Sequence, residues 1–318
     1  MKRWWNNLLY WLVYSAWRAL SLLPLWLHYA FSSCLSVLLD HVVRYRRRVV
    51  WKNLRESFPE WDERRTRRVM HEFYRHMCDM LVETVKYPGM SQRTLRRRMR
   101  FTNPEVVSDI LGSGQDIAFC LGHYGNWEWV TSMVMWMPPM PGVAYGQIYH
   151  PLENPVLDRV VLTMRERRGS ACVSKKETLR WLLSHRREGH TTMLGYINDQ
   201  VPLWWNIHHW LDFLHHDTPV FTGMERIARK QRQAVVYLDV TRVSRGHYEC
   251  TFQVMTRDPG ELPPFAVTDD YFRRLETTIR RQPPYWLWSH NRWKRTHEEF
   301  NARYEVVDGR VVEKGEKK

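Results

Sequence analysis

Cysteine is scarce and scattered in this chain: five residues, Cys34, Cys78, Cys120, Cys172 and Cys250, among 318. No two stand close enough for a CxxC metal or redox pair, and the odd count argues against a disulfide framework. They read as small apolar residues of a protein in a reducing compartment. Acidic residues are also in deficit, with 34 Asp plus Glu against 48 Lys plus Arg, a net charge of +14. Such a chain is drawn to anionic partners, whether nucleic acid, anionic head groups or acidic carrier proteins. It has no internal repeat, no low-complexity tract before the charged tail Glu313–Lys318, and no recognisable nucleic-acid module. Repeat arrays are thereby excluded, and nucleic-acid binding has only charge to recommend it.

What is present in quantity is tryptophan, 17 residues with 15 Tyr beside them. Each indole N–H buried in a core needs a partner, whereas a membrane–water interface satisfies both ends of the side chain. Basic charge with abundant Trp therefore points to a membrane surface before nucleic acid. Residues Ala19 to Leu39 carry no Asp, Glu, Lys or Arg. Twenty-one helical residues at about 1.5 Å each would cross the roughly 30 Å hydrocarbon layer. Pro24, His28 and four serines weaken that reading, so the segment is one imperfect transmembrane helix or a helix lying in the interface, with a buried helix of a soluble fold as the third alternative. No small-x-small cleavage site follows it, which argues against a cleaved signal peptide. The basic run from Arg44 to Lys52 favours a cytoplasmic main domain. We therefore expect an anchor over residues 1–45 and a catalytic domain over 46–318.

Beyond the anchor, VVWKNLRESF and ERRTRRVMHEFYRHMCDMLVETVKY repeat apolar residues at helical spacing. After Phe101 the texture changes to short strands alternating with helices. Asp116–Leu121 reads as a buried strand, Thr191–Ile197 as a strand, and Ala234–Val240 as a strand with Tyr248–Thr256 its antiparallel neighbour. Trp127–Trp136, Asn154–Arg168, Lys175–Glu188 and Gly223–Gln231 read as helices. The expected fold class is α/β, a mixed, mostly parallel sheet flanked by helices, with an N-terminal hydrophobic helix.

The chemistry gathers after the first strand. Gly122 and then His123 follow Leu121, which places the imidazole at the carboxyl end of a sheet strand, where open α/β sheets form their crevices. Glu128 lies five residues on. A helix beginning between them folds its carboxylate back toward the imidazole, fixing the tautomer and raising basicity at the other nitrogen. The same spacing also suits a histidine that caps a helix with Glu128 merely in its first turn.

The segment His123-Tyr124-Gly125-Asn126-Trp127-Glu128 resembles the H(F/Y)GNWE signature of the lipid A biosynthesis late acyltransferases. Tyr149–Asp158 resembles that family's YRPxxNPxxD segment, Arg165–Gly169 its RxRxG, Asp199-Gln200 its PDQ turn, and Tyr285–Lys294 its YLWLHRRFK ending. The resemblance covers almost the whole chain, in order. It implies a glycerolipid acyltransferase-like fold and transfer of an acyl chain from acyl carrier protein to a hydroxyl of a lipid A precursor at the inner membrane. The active domain would face the cytoplasm. His123 would be the base and Glu128 its charge-relay partner. Arg165 and Arg167 would hold acceptor phosphate or the oxyanion, unless they form a helix-surface salt bridge. Asp199 would orient the acceptor or cap a turn, and Asn126 would contact substrate. The implied partners are acyl carrier protein, the lipid A precursor and membrane lipids, with no nucleic acid, no metal and no cofactor.

Two departures stand out. After Asp199-Gln200 the chain runs Val201-Pro202-Leu203-Trp204-Trp205-Asn206-Ile207-His208-His209-Trp210, expected to dip into the membrane or to line an acyl pocket. His208, His209, His215, His216 and Asp217 are zinc-capable residue types, but adjacent histidines seldom face one metal, and no metal is expected. Acylation of another lysolipid, such as lysophosphatidic acid, is the alternative enzyme reading. An FPEGTR-like phosphate loop, which that activity usually carries, is missing.

Overall fold

The computed structural model describes residues 2–137 and 140–315. Two apolar helices lead, α1 (Lys2–Leu22) and α2 (Leu25–Val37), the latter running on through a π-helical turn, Leu38–Val42. Pro24 is the N-cap of α2 and has no N–H to continue the ladder, and the pair is bent by 106° at this break. The apolar run 19–39 is therefore not the continuous helix allowed for above. No single helix among the described residues is long and apolar enough to cross a membrane.

Helices α3 (Arg47–Ser57) and α4 (Glu63–Lys86) follow, separated at Pro59. The Asp62 side chain caps α4 by accepting from the Arg65 N–H at 2.7 Å. Then come α5 (Gln92–Arg98), β1 (Met99–Phe101), α6 (Glu105–Gly112), β2 (Ile117–Leu121) and a short α7 (Trp127–Val130). The ten-residue helix expected at Trp127–Trp136 is only this turn continued as 3-10 helix to Met135. Next are β3 (Val143–Tyr149), α8 (Pro155–Glu166), β4 (Ala171–Ser174), α9 (Thr178–Arg187) and β5 (Thr191–Ile197). Asn154 caps α8 through the N–H groups of Val156 and Leu157, with Pro155 in its first turn. A hairpin, β6 (Trp210–Phe213) and β7 (His216–Pro219), precedes α10 (Gly223–Gln231), β8 (Ala234–Ser244), β9 (His247–Thr256) and α11 (Ala266–Arg281). The chain closes with α12 (His297–Arg303) and a second hairpin, β10 (Tyr304–Val307) and β11 (Arg310–Glu313).

Seven strands form one sheet in the order β1-β9-β8-β2-β5-β3-β4. All neighbours run parallel except β8 and β9, so the sheet is mixed and mostly parallel, as expected. The central β2 is buried along its whole length, as befits a strand covered on both faces. The core unites Phe119, Val236, Phe252, Tyr271 and Leu275 on and over the sheet with Phe73 and Tyr74 of α4.

The two leading helices are packed onto this body. Tyr10 of α1 is buried with Val156, Val160 and Met164 of α8. The Lys86 ammonium donates to the carbonyls of Ser21 and Leu23 at 2.7 and 2.8 Å, satisfying open acceptors at the end of α1. The outer side of the pair is apolar and exposed, with Trp4, Trp5, Trp11, Trp26 and Phe31 each at 57% or more.

Candidate active site

His123 and Asp199 reach the site by the same route. Strands β2 and β5 are parallel neighbours in the register Leu121↔Ile197. Each residue stands two positions beyond that last pair, so the hydrogen-bond ladder itself sets them side by side. The Asp199 Oδ1 accepts from His123 Nδ1 at 2.6 Å, and Oδ2 accepts from the His123 backbone N–H at 2.8 Å. Trp286 Nε1 donates to the same Oδ2 at 2.8 Å. Asp199 is 2% exposed, a setting that by itself pushes a carboxyl up. The His123 charge and the donors of His123 and Trp286 outweigh burial and hold it below its ordinary value. With Nδ1 donating to the carboxylate, Nε2 is left with its lone pair, and the ring remains 20% exposed. The Gln200 amide nitrogen is 3.4 Å from Nε2.

The turn after His123 is built by Gly125, whose φ of +58° is open to glycine at little cost. A Cβ there would lie 2.8 Å from Val240 Cγ1. Beyond it the chain enters α7, and the Trp127 ring packs edge-on to the imidazole at 5.2 Å. This course carries Glu128 to a different partner from the one expected. Its carboxylate receives a bidentate pair from Arg165 of α8, Nε to Oε2 at 3.0 Å and Nη2 to Oε1 at 2.5 Å. Among the described residues no hydrogen bond joins Glu128 to His123, and the carboxylate that orients the imidazole is Asp199.

The remaining expected residues separate. Asn126 is fully buried; its Oδ1 accepts from the Trp129 N–H at 2.9 Å and its Nδ2 donates to Glu83 at 2.7 Å. Its amide is thus an internal clamp, the oxygen capping α7 and the nitrogen held by Glu83, and Asn126 does not line the cavity at His123. Arg167 sits exposed at the C-cap of α8, outside the cavity wall, because the helix turns it away from Arg165. None of the residues from Val201 to Trp210 lines the cavity either. Trp204 instead stacks on Tyr304 at 5.8 Å, and Trp210 on His297 at 4.4 Å, so this stretch packs against the C-terminal segment. His209 bonds Asp269, and Asp217 pairs with His297.

His123, Glu128, Arg165 and Gln200 face a cavity of about 550 Å³ at the carboxyl ends of β2, β3 and β5. Its walls are otherwise largely apolar, including Met133, Ile148, Met193 and Met224. Its size falls in the range of ligand sites, about 300–1,000 Å³. A base with an oriented lone pair, a paired guanidinium and an apolar chamber together suit proton removal from a hydroxyl beside a hydrocarbon-bearing reactant.

Behind the site stands a buried carboxylate that nothing in the sequence singled out. Glu83 of α4 is fully buried and accepts from Asn126, from Tyr248 Oη at 2.9 Å and from Tyr29 Oη of α2 at 2.9 Å. Burial raises its pKa to about 7 against the pull of these donors. Asp79, one turn earlier, is held by Ser32, Arg242 and Arg245. Helix α2 is thereby hydrogen-bonded, through α4, to the turn that carries His123.

A family profile described as bacterial lipid A biosynthesis acyltransferase matches residues 3–295. A curated relative from Haemophilus influenzae, named lipid A biosynthesis acyltransferase, is 20% identical over 217 residues, 68% of this chain and 66% of that protein. The match thus spans just under two thirds of that relative's length. With nearly all of its length matched by the profile, the chain belongs to the bacterial lipid A biosynthesis acyltransferase family.

Proposed function

We propose that this protein transfers a fatty acyl group from an acyl carrier protein thioester to a hydroxyl of a lipid A precursor, at the cytoplasmic face of the inner membrane. The observation that carries the reading is the His123–Asp199 pair, 2.6 Å apart, opening onto an apolar-walled cavity in a member of this family. His123 Nε2 removes the proton of the acceptor hydroxyl as its oxygen attacks the thioester carbonyl. Asp199 fixes the tautomer and stabilises the imidazolium that forms. Collapse of the tetrahedral intermediate expels the thiolate, which takes the proton back from Nε2. Atoms balance: one ester forms, one thioester breaks, and no cofactor is consumed.

The Glu128–Arg165 pair takes an electrostatic part in this reading. Among the described residues, two of the five guanidinium N–H groups go to Glu128 and the others make no hydrogen bond, which leaves them for the oxyanion or an acceptor phosphate in this reading. Membrane association is supported by the exposed apolar side of α1 and α2 and by the arginines Arg44, Arg46 and Arg48 that follow it. The same positive charge suits an acidic carrier protein.

The test is a transfer assay with purified protein, a lipid A precursor, and the same acyl chain offered on acyl carrier protein or on coenzyme A. Transfer from the carrier protein, reduced by about 10³-fold or more in His123→Ala, is the expected result. Wild-type transfer by His123→Ala sinks the mechanism. Mass spectra of a deletion strain showing complete lipid A sink the acceptor assignment.

A further inference from the structure

The lone pair of His123 Nε2 has a neighbour before any substrate arrives. The Gln200 amide nitrogen lies 3.4 Å from it, and with Nδ1 donating to Asp199 the ring offers an acceptor there. The amide therefore presents an N–H to the base. Among the described residues this is the one hydrogen bond of the Gln200 side chain, so its carbonyl and its second N–H have no protein partner. Gln200 is half-buried and lines the cavity together with His123.

The backbone around Gln200 is held on both sides. Asp199, immediately before it, is fixed by His123 and Trp286, and the Val201 N–H donates to His290 Nε2 at 3.3 Å. The side chain alone is left to turn, while its root stays beside the base. A ring nitrogen with one lone pair takes one donor at a time. An acceptor hydroxyl that gives its proton to Nε2 must stand about 2.8 Å from it, in the place the amide now holds. A turn about the last side-chain bond frees the lone pair and leaves the N–H beside that oxygen. The attacked carbonyl carbon bonds to the same oxygen, so its developing oxyanion comes within reach of the amide.

We propose that Gln200 is a catalytic residue: its amide N–H caps Nε2 at rest, yields that place to the acceptor hydroxyl, and donates to the oxyanion of the thioester carbonyl. This assignment rests on the acyl-transfer reading and deepens it by naming a donor for the charge that forms. The hydroxyl proton passes to Nε2 as the oxygen–carbon bond forms and the carbonyl π pair moves onto oxygen, where the Gln200 N–H meets it. When that pair returns, the carbon–sulfur bond breaks, the thiolate takes the proton from Nε2, and the amide goes back to the lone pair. Arg165 is then left for the acceptor phosphate.

Gln200→Met keeps the length and bulk of the side chain and removes its N–H groups. Two readouts on the full chain in detergent micelles should then move in opposite directions. Steady-state transfer should lose about 10²-fold in kcat with little change in KM. Carbethoxylation of His123 by diethyl pyrocarbonate, followed by peptide mass mapping, should quicken by about two- to tenfold, because the lone pair has lost its competitor. Gln200→Ala gives the same two readouts should Gln200→Met fail to fold. Both rates falling together marks a merely structural role and overturns the assignment, as does a wild-type kcat or a carbethoxylation that does not quicken. Faster carbethoxylation with no acyl transfer by the unaltered protein sinks the reaction alone. Transfer by the unaltered protein with both rates unchanged in Gln200→Met sinks the role of Gln200 alone.

Discussion

Asp199 grips His123 at two points, its Oδ1 on the ring and its Oδ2 on the backbone N–H, so one carboxylate fixes both the place and the tautomer of the imidazole. Asp199→Asn keeps the shape and removes the charge. Its kcat should fall by about 10³–10⁴-fold with little change in KM, as measured by steady-state acyl transfer. The native carboxyl is held below its ordinary value, so its stabilisation is complete above the unfolded-state pKa and lost as pH falls through the depressed one. The stability gap between wild type and variant should therefore narrow only in acid, which denaturant titrations at several pH values will read.

Glu128 and Arg165 form a bidentate ion pair on the cavity wall. Removing Arg165 leaves a carboxylate only 13% exposed without its partner, and removing Glu128 leaves the guanidinium unaligned. A double-mutant cycle with Glu128→Gln and Arg165→Met should give a coupling of about 1–3 kcal/mol in kcat/KM. Additive losses would show that the pair is not a functional unit.

Glu83 predicts a pH dependence of opposite sign. A carboxyl raised to about 7 contributes stability that is full below its unfolded value and is lost as pH rises through about 7. The melting temperature of wild type relative to Glu83→Gln should therefore decline between about pH 5 and pH 8. A constant difference over that range would mean that Glu83 is already ionised.

Gly125→Ala tests the turn. A positive φ and a Cβ 2.8 Å from Val240 Cγ1 make the substitution costly, by about 1–2 kcal/mol from backbone strain alone. Chemical denaturation should show at least that loss, and transfer should fall further because the turn aims His123. Val240→Ala in the same chain should recover part of it by relieving the contact.

The outer side of the helix pair carries the membrane prediction. Trp26 and Phe31 are 67% and 62% exposed, so charging them leaves the fold intact. Trp26→Glu with Phe31→Glu should weaken co-sedimentation with anionic vesicles by roughly tenfold, and salt should weaken it further. Undiminished binding would move the contact elsewhere.

Much of the sheet was legible because its strands announce themselves. Ile117–Leu121 is a continuous apolar run between Asp116 and Gly122, Thr191–Ile197 is a β-prone stretch ended by Asn198, and both form where expected. Short edge strands such as Met99–Phe101 and Ala171–Ser174 have too few residues for a period to show. The hairpin Trp210–Pro219 went unread because its Trp- and His-rich approach shows no alternation and was expected to dip into the membrane or line an acyl pocket. His123 was legible from its strand and signature. Its partner was misread because five-residue spacing looks local, whereas the orienting carboxylate comes from a strand 76 residues away. Spacing along one chain carries no record of which strands become neighbours. Pro24 was noted as a weakness of the anchor, and its missing N–H is what divides the run into two helices.

The distances in sequence within the site also order its birth. Asp199 follows His123 by 76 residues, and Trp286 follows Asp199 by a further 87. At the usual pace of synthesis, about 5–20 residues per second, the imidazole emerges many seconds before the groups that orient it. A nascent chain thus carries His123 without its orienting carboxylate until Asp199 is made, and without the Trp286 indole behind that carboxylate until the C-terminal segment docks.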